Sequence, residues 1–173
     1  MDQTLKIING RRTVRSFLPK QVPDEILSEI LLAGRYAPSA MGLQERHFTV
    51  IQDKNLMREI VTASIKNGGT FAPSHIPFYN APTVIVLSAP RSAKYNREDA
   101  ACSIMNILDA AWSVGLGTCY ICSLNPGLKD PKIMEKLLLP EDYIPCGCVC
   151  LGYPDGKIPE PKERRTDDIT YVR

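Results

Sequence analysis

Thr83-Val84-Ile85-Val86-Leu87 is an unbroken apolar, β-branched run, the pattern of a central strand covered on both faces. The longest helix of the chain follows it. Ala100, Ala101, Ile104, Met105, Leu108, Ala111 and Trp112 recur at i, i+3, i+4 and i+7. The stripe they form is so wide and so rich in small residues that burial almost all round is expected. Gly115-Leu116-Gly117 then ends the helix and turns the chain into a second strand, Thr118 to Cys122.

Downstream, Asp130-Pro131 starts a helix with Ile133, Met134, Leu137 and Leu138 turned inward and Pro140 beyond its end. Cys146 to Leu151 reads as the last core strand. Upstream, His47 to Ile51 has strand length and composition, and Asp53 caps a helix carrying Leu56, Ile60 and Val61. Before these, Ile26, Leu27, Ile30, Leu31 and Ala33 follow helical spacing, and Pro38 stops that helix near Tyr36. Leu5, Ile7 and Ile8 suggest a short first helix, closed by a Gly10 of positive φ. From Asn67 to Pro82 there are three prolines and no clear period, and a loop of that length is usually functional or mobile.

Strands alternating with helices imply an α/β or α+β sandwich. The alternation is not a regular βαβ repeat, and G-x-G-x-x-G and phosphate-loop motifs are missing, so a Rossmann fold is set aside. A chain of 173 residues without internal repeat or linker reads as one domain, 1–173. A net charge of +2 is too weak for a nucleic-acid footprint, and no apolar run approaches the roughly 20 residues that span a membrane. With no signal peptide recognised, a cytoplasmic location with reduced thiols is expected.

The six cysteines pose a choice. Cys119-x-x-Cys122 with Cys146-x-Cys148-x-Cys150 has thiolates enough for zinc or iron–sulfur. Strand alternation puts Cys146, Cys148 and Cys150 on one face, where free cysteine behaves as a small core residue. The core reading is favoured, and no metal is assigned. His47 and His75 stand too far from other ligands to argue for a metal or a triad.

Positive charge is concentrated at Arg11-Arg12-Thr13-Val14-Arg15, within a first twenty residues that carry net +4 against +2 for the whole chain. A solvated basic turn is the plain reading. Three guanidinium groups and a hydroxyl in five residues suit a compact phosphate better than a long polyanion.

Several stretches together resemble the FMN-dependent nitroreductase family. They are Arg11-Arg12-Thr13-Val14-Arg15-Ser16-Phe17, Ala37-Pro38-Ser39 with Gln44, Gly115-Leu116-Gly117-Thr118, and Leu151-Gly152-Tyr153-Pro154 followed by Lys162-x-Arg164. The order and spacing of these pieces along nearly the whole chain carry the resemblance. It implies an α+β fold, a three-layer α/β/α sandwich whose central mixed sheet is flanked by helices, with an extended C-terminal arm crossing to a partner subunit. It also implies a homodimer with FMN at the interface and NAD(P)H as co-substrate. Reducing equivalents would pass through the flavin to a nitroaromatic, quinone or similar electron-poor acceptor in ping-pong order.

The resemblance places Arg11, Arg12, Thr13 and Arg15 on FMN, with Arg11 at the phosphate and Arg15 toward the ribityl and pyrimidine end. Lys162 and Arg164 would complete the phosphate site. Pro38, Ser39 and Ala40, with Gln44, would touch the flavin from the second subunit. Ile121, Cys122 and Ser123 would bring a backbone N–H to flavin N5, and Asn67 would lie near the pyrimidine. No side chain is given a catalytic role. Gly42 stands where the family commonly has Asn, and Glu45-Arg46 where Pro-Trp is common. Alternatives on the same fold are a flavin-fragmenting or dehalogenating relative; outside it, a flavin-binding carrier or sensor without turnover.

Overall fold

The computed structural model describes residues 2–72 and 74–173; Pro73, one of the prolines of the long loop, lies outside them. Ten named helices and strands run in the order α1 (Gln3–Gly10), α2 (Asp24–Arg35), β1 (His47–Ile51), α3 (Lys54–Lys66), β2 (Thr83–Pro90), α4 (Asn96–Ser113), β3 (Gly117–Ile121), α5 (Asn125–Leu128), α6 (Pro131–Lys136) and β4 (Tyr143–Gly152). The local signals explain most of the boundaries. Asp53 accepts from the Asn55 N–H and Asp130 from the Lys132 N–H, so each caps its helix. Pro131 occupies the first turn of α6, where its missing donor costs nothing.

The sheet order is β1-β2-β4-β3 and every neighbouring pair of these strands is antiparallel. The expected mixed sheet is therefore antiparallel in its four strands; a parallel pairing occurs in the isolated bridge to Thr118 from Thr13, which lies outside them. One core lies against α2 and α4 and includes Ile30, Ile85, Leu87, Ile104, Ile107 and Val149. The other lies against α3, α5 and α6 and includes Ile60, Val84, Val86, Leu128 and Cys148. Together the two cores and the sheet between them form the three layers of an α+β sandwich.

Four local expectations change. Gly10 ends α1 without a positive φ, and the chain leaves the helix at Arg11 in an extended conformation. Leu138 takes φ +52 beyond α6 and is exposed, so only Ile133 and Leu137 are buried from that stripe. A bulge between Leu87 and Ser88 against β4 breaks the strict alternation there. Cys146 therefore packs on the α4 side while Cys148 and Cys150 pack on the α3 side. Finally, α4 is not enclosed all round: Met105 is 42% exposed, and Cys102 is exposed too.

Candidate functional site

The outer edge of β3 organises the site. Val14 donates its N–H to Thr118 O at 2.9 Å, fastening the arginine stretch along the strand. Gly115 makes the turn from α4 with φ +78, and Gly117 lets the two segments close: a Cβ there would lie 2.7 Å from Val14 Cβ. Val14 is buried, whereas Arg15 is exposed. The Gly115-Leu116-Gly117 motif is thus a device for docking the arginine stretch.

The three arginines go different ways. Arg11 turns to α4, its Nε 3.5 Å from Asp109 Oδ1. Both atoms are buried and neither makes a hydrogen bond. Burial pushes the Asp109 carboxyl up, against the opposing charge of Arg11. Arg12 folds back, its Nη1 donating to Asn9 O and Arg11 O at 2.8 Å each, which satisfies carbonyls at the end of α1. Arg15 faces Cys119.

Cys119 is buried and its burial pushes the thiol up, opposed by Arg15 and by the Tyr79 hydroxyl. Tyr79 comes from the long loop, where Phe78, Tyr79 and Asn80 take positive φ and bury Phe78. The loop is braced by rings: His75 stacks on Phe71 at 5.4 Å and meets Tyr79 edge-on at 5.4 Å. His75 is accordingly half-buried rather than a surface residue. Sequence reasoning missed Tyr79, since a left-handed turn in a periodless loop leaves no pattern to read.

At the end of β3, Ile121 is buried while Cys122 and Ser123 are exposed. Burial, then the Cys122 contact, pushes the Tyr120 hydroxyl up to about 12. Asn67 caps α3, and its Nδ2 donates to Asp130 Oδ2 at 3.0 Å and to Pro126 O at 3.4 Å. That hydrogen bond holds the Asp130 carboxyl below its ordinary value. All six cysteines are free, and among the described residues no cluster of three His, Cys, Asp or Glu is placed to hold a metal.

The loop carrying Pro38, Ser39 and Ala40 is fixed to the other end of α4. Ala40 N–H donates to both Asp99 oxygens at 3.0 and 3.2 Å, and Ser39 Oγ accepts from the Gln44 N–H at 3.0 Å. Arg46 clamps it: Nη1 donates to Ala37 O at 3.0 Å, Pro38 O at 3.1 Å and Ser103 Oγ at 2.8 Å, and Nη2 donates to Ala37 O at 3.0 Å. Arg46 had stood out in the sequence only as a departure from a pattern. No local signal marks this role, since Arg46 stands eleven residues beyond the end of α2 and meets the carbonyls of Ala37 and Pro38 only in the fold.

The C-terminal arm leaves beside the arginine stretch. Phe17 bridges Pro154, Leu18 N–H donates to Tyr153 O, and Asp155 N–H donates to Ser16 O, each bond 2.9 Å. From Asp155 to Arg173 every residue is exposed. Lys162 and Arg164 lie in that arm, and among the described residues neither makes a hydrogen bond or ion pair with Arg11, Thr13 or Arg15. One chain therefore brings together Arg15, Tyr79 and Cys119 beside the Thr13–Thr118 bridge, while Arg11 turns to α4 and Cys122 and Ser123 lie exposed beyond the far end of β3. It leaves the arm cations and the Pro38 loop apart from them.

These geometries have counterparts among known proteins. A nitroreductase with bound FMN from Bacteroides fragilis superposes with TM-score 0.90 at 32% identity, covering 100% of both chains. An iodotyrosine deiodinase of Thermotoga neapolitana is 27% identical over 187 residues, 98% of this chain and 97% of that one. An oxygen-insensitive NADPH nitroreductase of Salmonella typhimurium is 28% identical over 162 residues, 89% of this chain and 67% of that one. The sequence profile of the nitroreductase family matches residues 8–153, and the chain belongs to that family.

Proposed function

We propose that this protein is an NAD(P)H-dependent FMN oxidoreductase that reduces an electron-poor small molecule, such as a nitroaromatic or a quinone, and works as a homodimer in the cytoplasm. The observation that carries the reading is Arg11 at the end of α1, its Nε buried without a hydrogen bond, in a stretch whose Thr13 bridges the edge of β3 and whose Arg15 is exposed. This donor set fits a flavin mononucleotide, because a phosphate dianion wants two or more cations and Arg presents a planar fork to it. Arg11 would take the phosphate with Lys162 and Arg164, and Thr13 would add a hydroxyl. Arg12, with Nη1 committed to carbonyls, contributes charge. Arg15 would set positive charge against the ring, near Ile121, Cys122 and Ser123, while Asn67 holds the neighbouring wall in place. The chemistry FMN supplies when bound is two-electron redox, taking hydride from NAD(P)H and reducing the acceptor in ping-pong alternation. No side chain is assigned as acid or base.

Helix geometry supports the dimer. Arg11 is anchored at Asp109 and Ala40 at Asp99, ten residues apart on α4, or about 15 Å at 1.5 Å per residue. A Pro38-Ser39-Ala40 loop that touches the same flavin as Arg11 is thus more easily supplied by a second copy. Leu5, Ile8, Met105, Tyr36 and Met41 are exposed apolar residues on α1, α4, the end of α2 and that loop, which a subunit interface would cover. Free thiols suit a reducing compartment, and among the described residues no helix is long and apolar enough to cross a membrane.

The test begins with colour. Purified protein should be yellow, release FMN on denaturation and elute at about twice 19.2 kDa. Anaerobic titration with NADH and with NADPH should bleach it, and acceptors should restore the colour. Colourless protein that cannot be reconstituted with FMN would sink the reading. The deiodinase relative favours one second reading, reductive dehalogenation, which halide release from a halogenated phenol would detect.

A further inference from the structure

Among the three arginines, Arg11 has an unusual partner. α4 presents Asp109 and, one turn on, Trp112 to the end of α1; Trp112 Nε1 lies 3.5 Å from where a side chain on Gly10 would begin. Arg11 Nε and Asp109 Oδ1 are 3.5 Å apart, beyond the 2.7–2.9 Å or so of a charge-assisted hydrogen bond. Both atoms are buried, and burial outweighs Arg11 in setting the Asp109 carboxyl. The pair is therefore desolvated without being closed. Neither Nη group of Arg11 makes a hydrogen bond among the described residues, so the fork that would grip an anion is left open while a carboxylate sits behind it.

We propose that Asp109 is a specificity-determining residue of the phosphate subsite: a built-in carboxylate that competes with a phosphate monoester for Arg11 and lowers the preference for FMN over riboflavin. The inference rests on the FMN reading above. Two anions sharing one cation repel each other, and with the facing Nε and Oδ1 buried but the side chains 23% and 26% exposed the repulsion is only partly screened. On this reading Asp109 acts through Arg11 on the phosphate, so its effect separates FMN from riboflavin. Asparagine at this position keeps an oxygen for Arg11 Nε and removes the charge.

Apoprotein of the wild type and of Asp109→Asn is titrated with FMN and with riboflavin, following quenching of flavin fluorescence. Inorganic phosphate serves as a competitor of FMN. Asp109→Asn should tighten FMN by roughly tenfold, strengthen inhibition by inorganic phosphate in parallel, and leave riboflavin within about twofold. Unchanged or weaker FMN binding would overturn the proposal, as would equal tightening of FMN and riboflavin, which would put the effect in the ring pocket. Asp109→Ser, also neutral, repeats the measurement if the asparagine variant does not fold, and must shift FMN the same way. Wild-type protein that binds neither flavin would instead remove the FMN reading itself.

Discussion

The two ends of the chain meet at Ser16 and Asp155 and then behave differently. The arginine stretch is fastened to β3 by Val14 and ordered by the Arg12 bond to Asn9 O and the approach of Arg15 to Cys119. The arm beyond Asp155 is exposed throughout, with ion pairs only between its own residues, Lys157 with Glu160 and Arg165 with Asp167, among the described residues. Exposed pairs of this kind are worth little and cannot order a segment. On the proposed reading, the arginine half of the anion site is built by folding, whereas the arm half needs an outside surface. A segment of eighteen residues with two prolines and nine charged side chains lacks the apolar surface to fold alone.

Ending the chain after Gly156 is the hardest test of that division, and the largest effect expected. It keeps the Phe17–Pro154 bridge and the Asp155 hydrogen bond, so melting temperature should shift little. It removes Lys162 and Arg164, and two charge-assisted contacts at about 1.5–3 kcal/mol each imply FMN affinity weaker by roughly 100-fold or more. Equilibrium dialysis and gel filtration read both effects. A truncated protein that keeps its flavin and its dimeric mass would show that the arm is not the second half.

Gly117→Ala attacks the prebuilt half. Its Cβ would meet Val14 at 2.7 Å, and such overpacking costs about 1–3 kcal/mol. Thermal unfolding should register that loss, with FMN affinity falling as Thr13 and Arg15 shift. An unchanged melt would mean the arginine stretch is only loosely held. Arg46→Met tests the remaining loop: losing the bonds to Ala37, Pro38 and Ser103 should cost roughly 1–2 kcal/mol. Limited proteolysis between residues 38 and 44 should quicken before global unfolding does.

What the sequence made legible follows the same line between local and distant causes. Asp53, Asp130-Pro131 and Gly115 act within a few residues, and each did what its local chemistry demands. The apolar run of β2 was readable because helices cover both of its faces, Val84 and Val86 packing on one side and Ile85 and Leu87 on the other. The face of Cys146 was not, because the bulge that turns it depends on how β4 registers against Leu87 and Ser88. Arg11, Thr13 and Arg15 could be named as anion ligands, but the partners Asp109 and Tyr79 arrive from elements far along the chain. Arg46 likewise needed α2 and α4 in place before its donors had carbonyls to meet.

The smallest predicted effect separates two neighbouring arginines. Arg11 and Arg12 are indistinguishable as sequence, yet Arg11 keeps its Nη donors open whereas Arg12 spends Nη1 on the carbonyls of Asn9 and Arg11. Arg12→Ala should therefore loosen the end of α1 by about 0.5–1 kcal/mol and weaken FMN by less than about threefold, through lost long-range charge alone. Arg11→Ala should leave the melt nearly unchanged, since its pair with Asp109 is unclosed, and weaken FMN by tenfold or so. Crossing thermal melts with flavin titrations for the two variants reads both quantities. If Arg12→Ala costs more flavin than Arg11→Ala, the assignment within the cluster is reversed, and Arg11 becomes the residue that serves the fold.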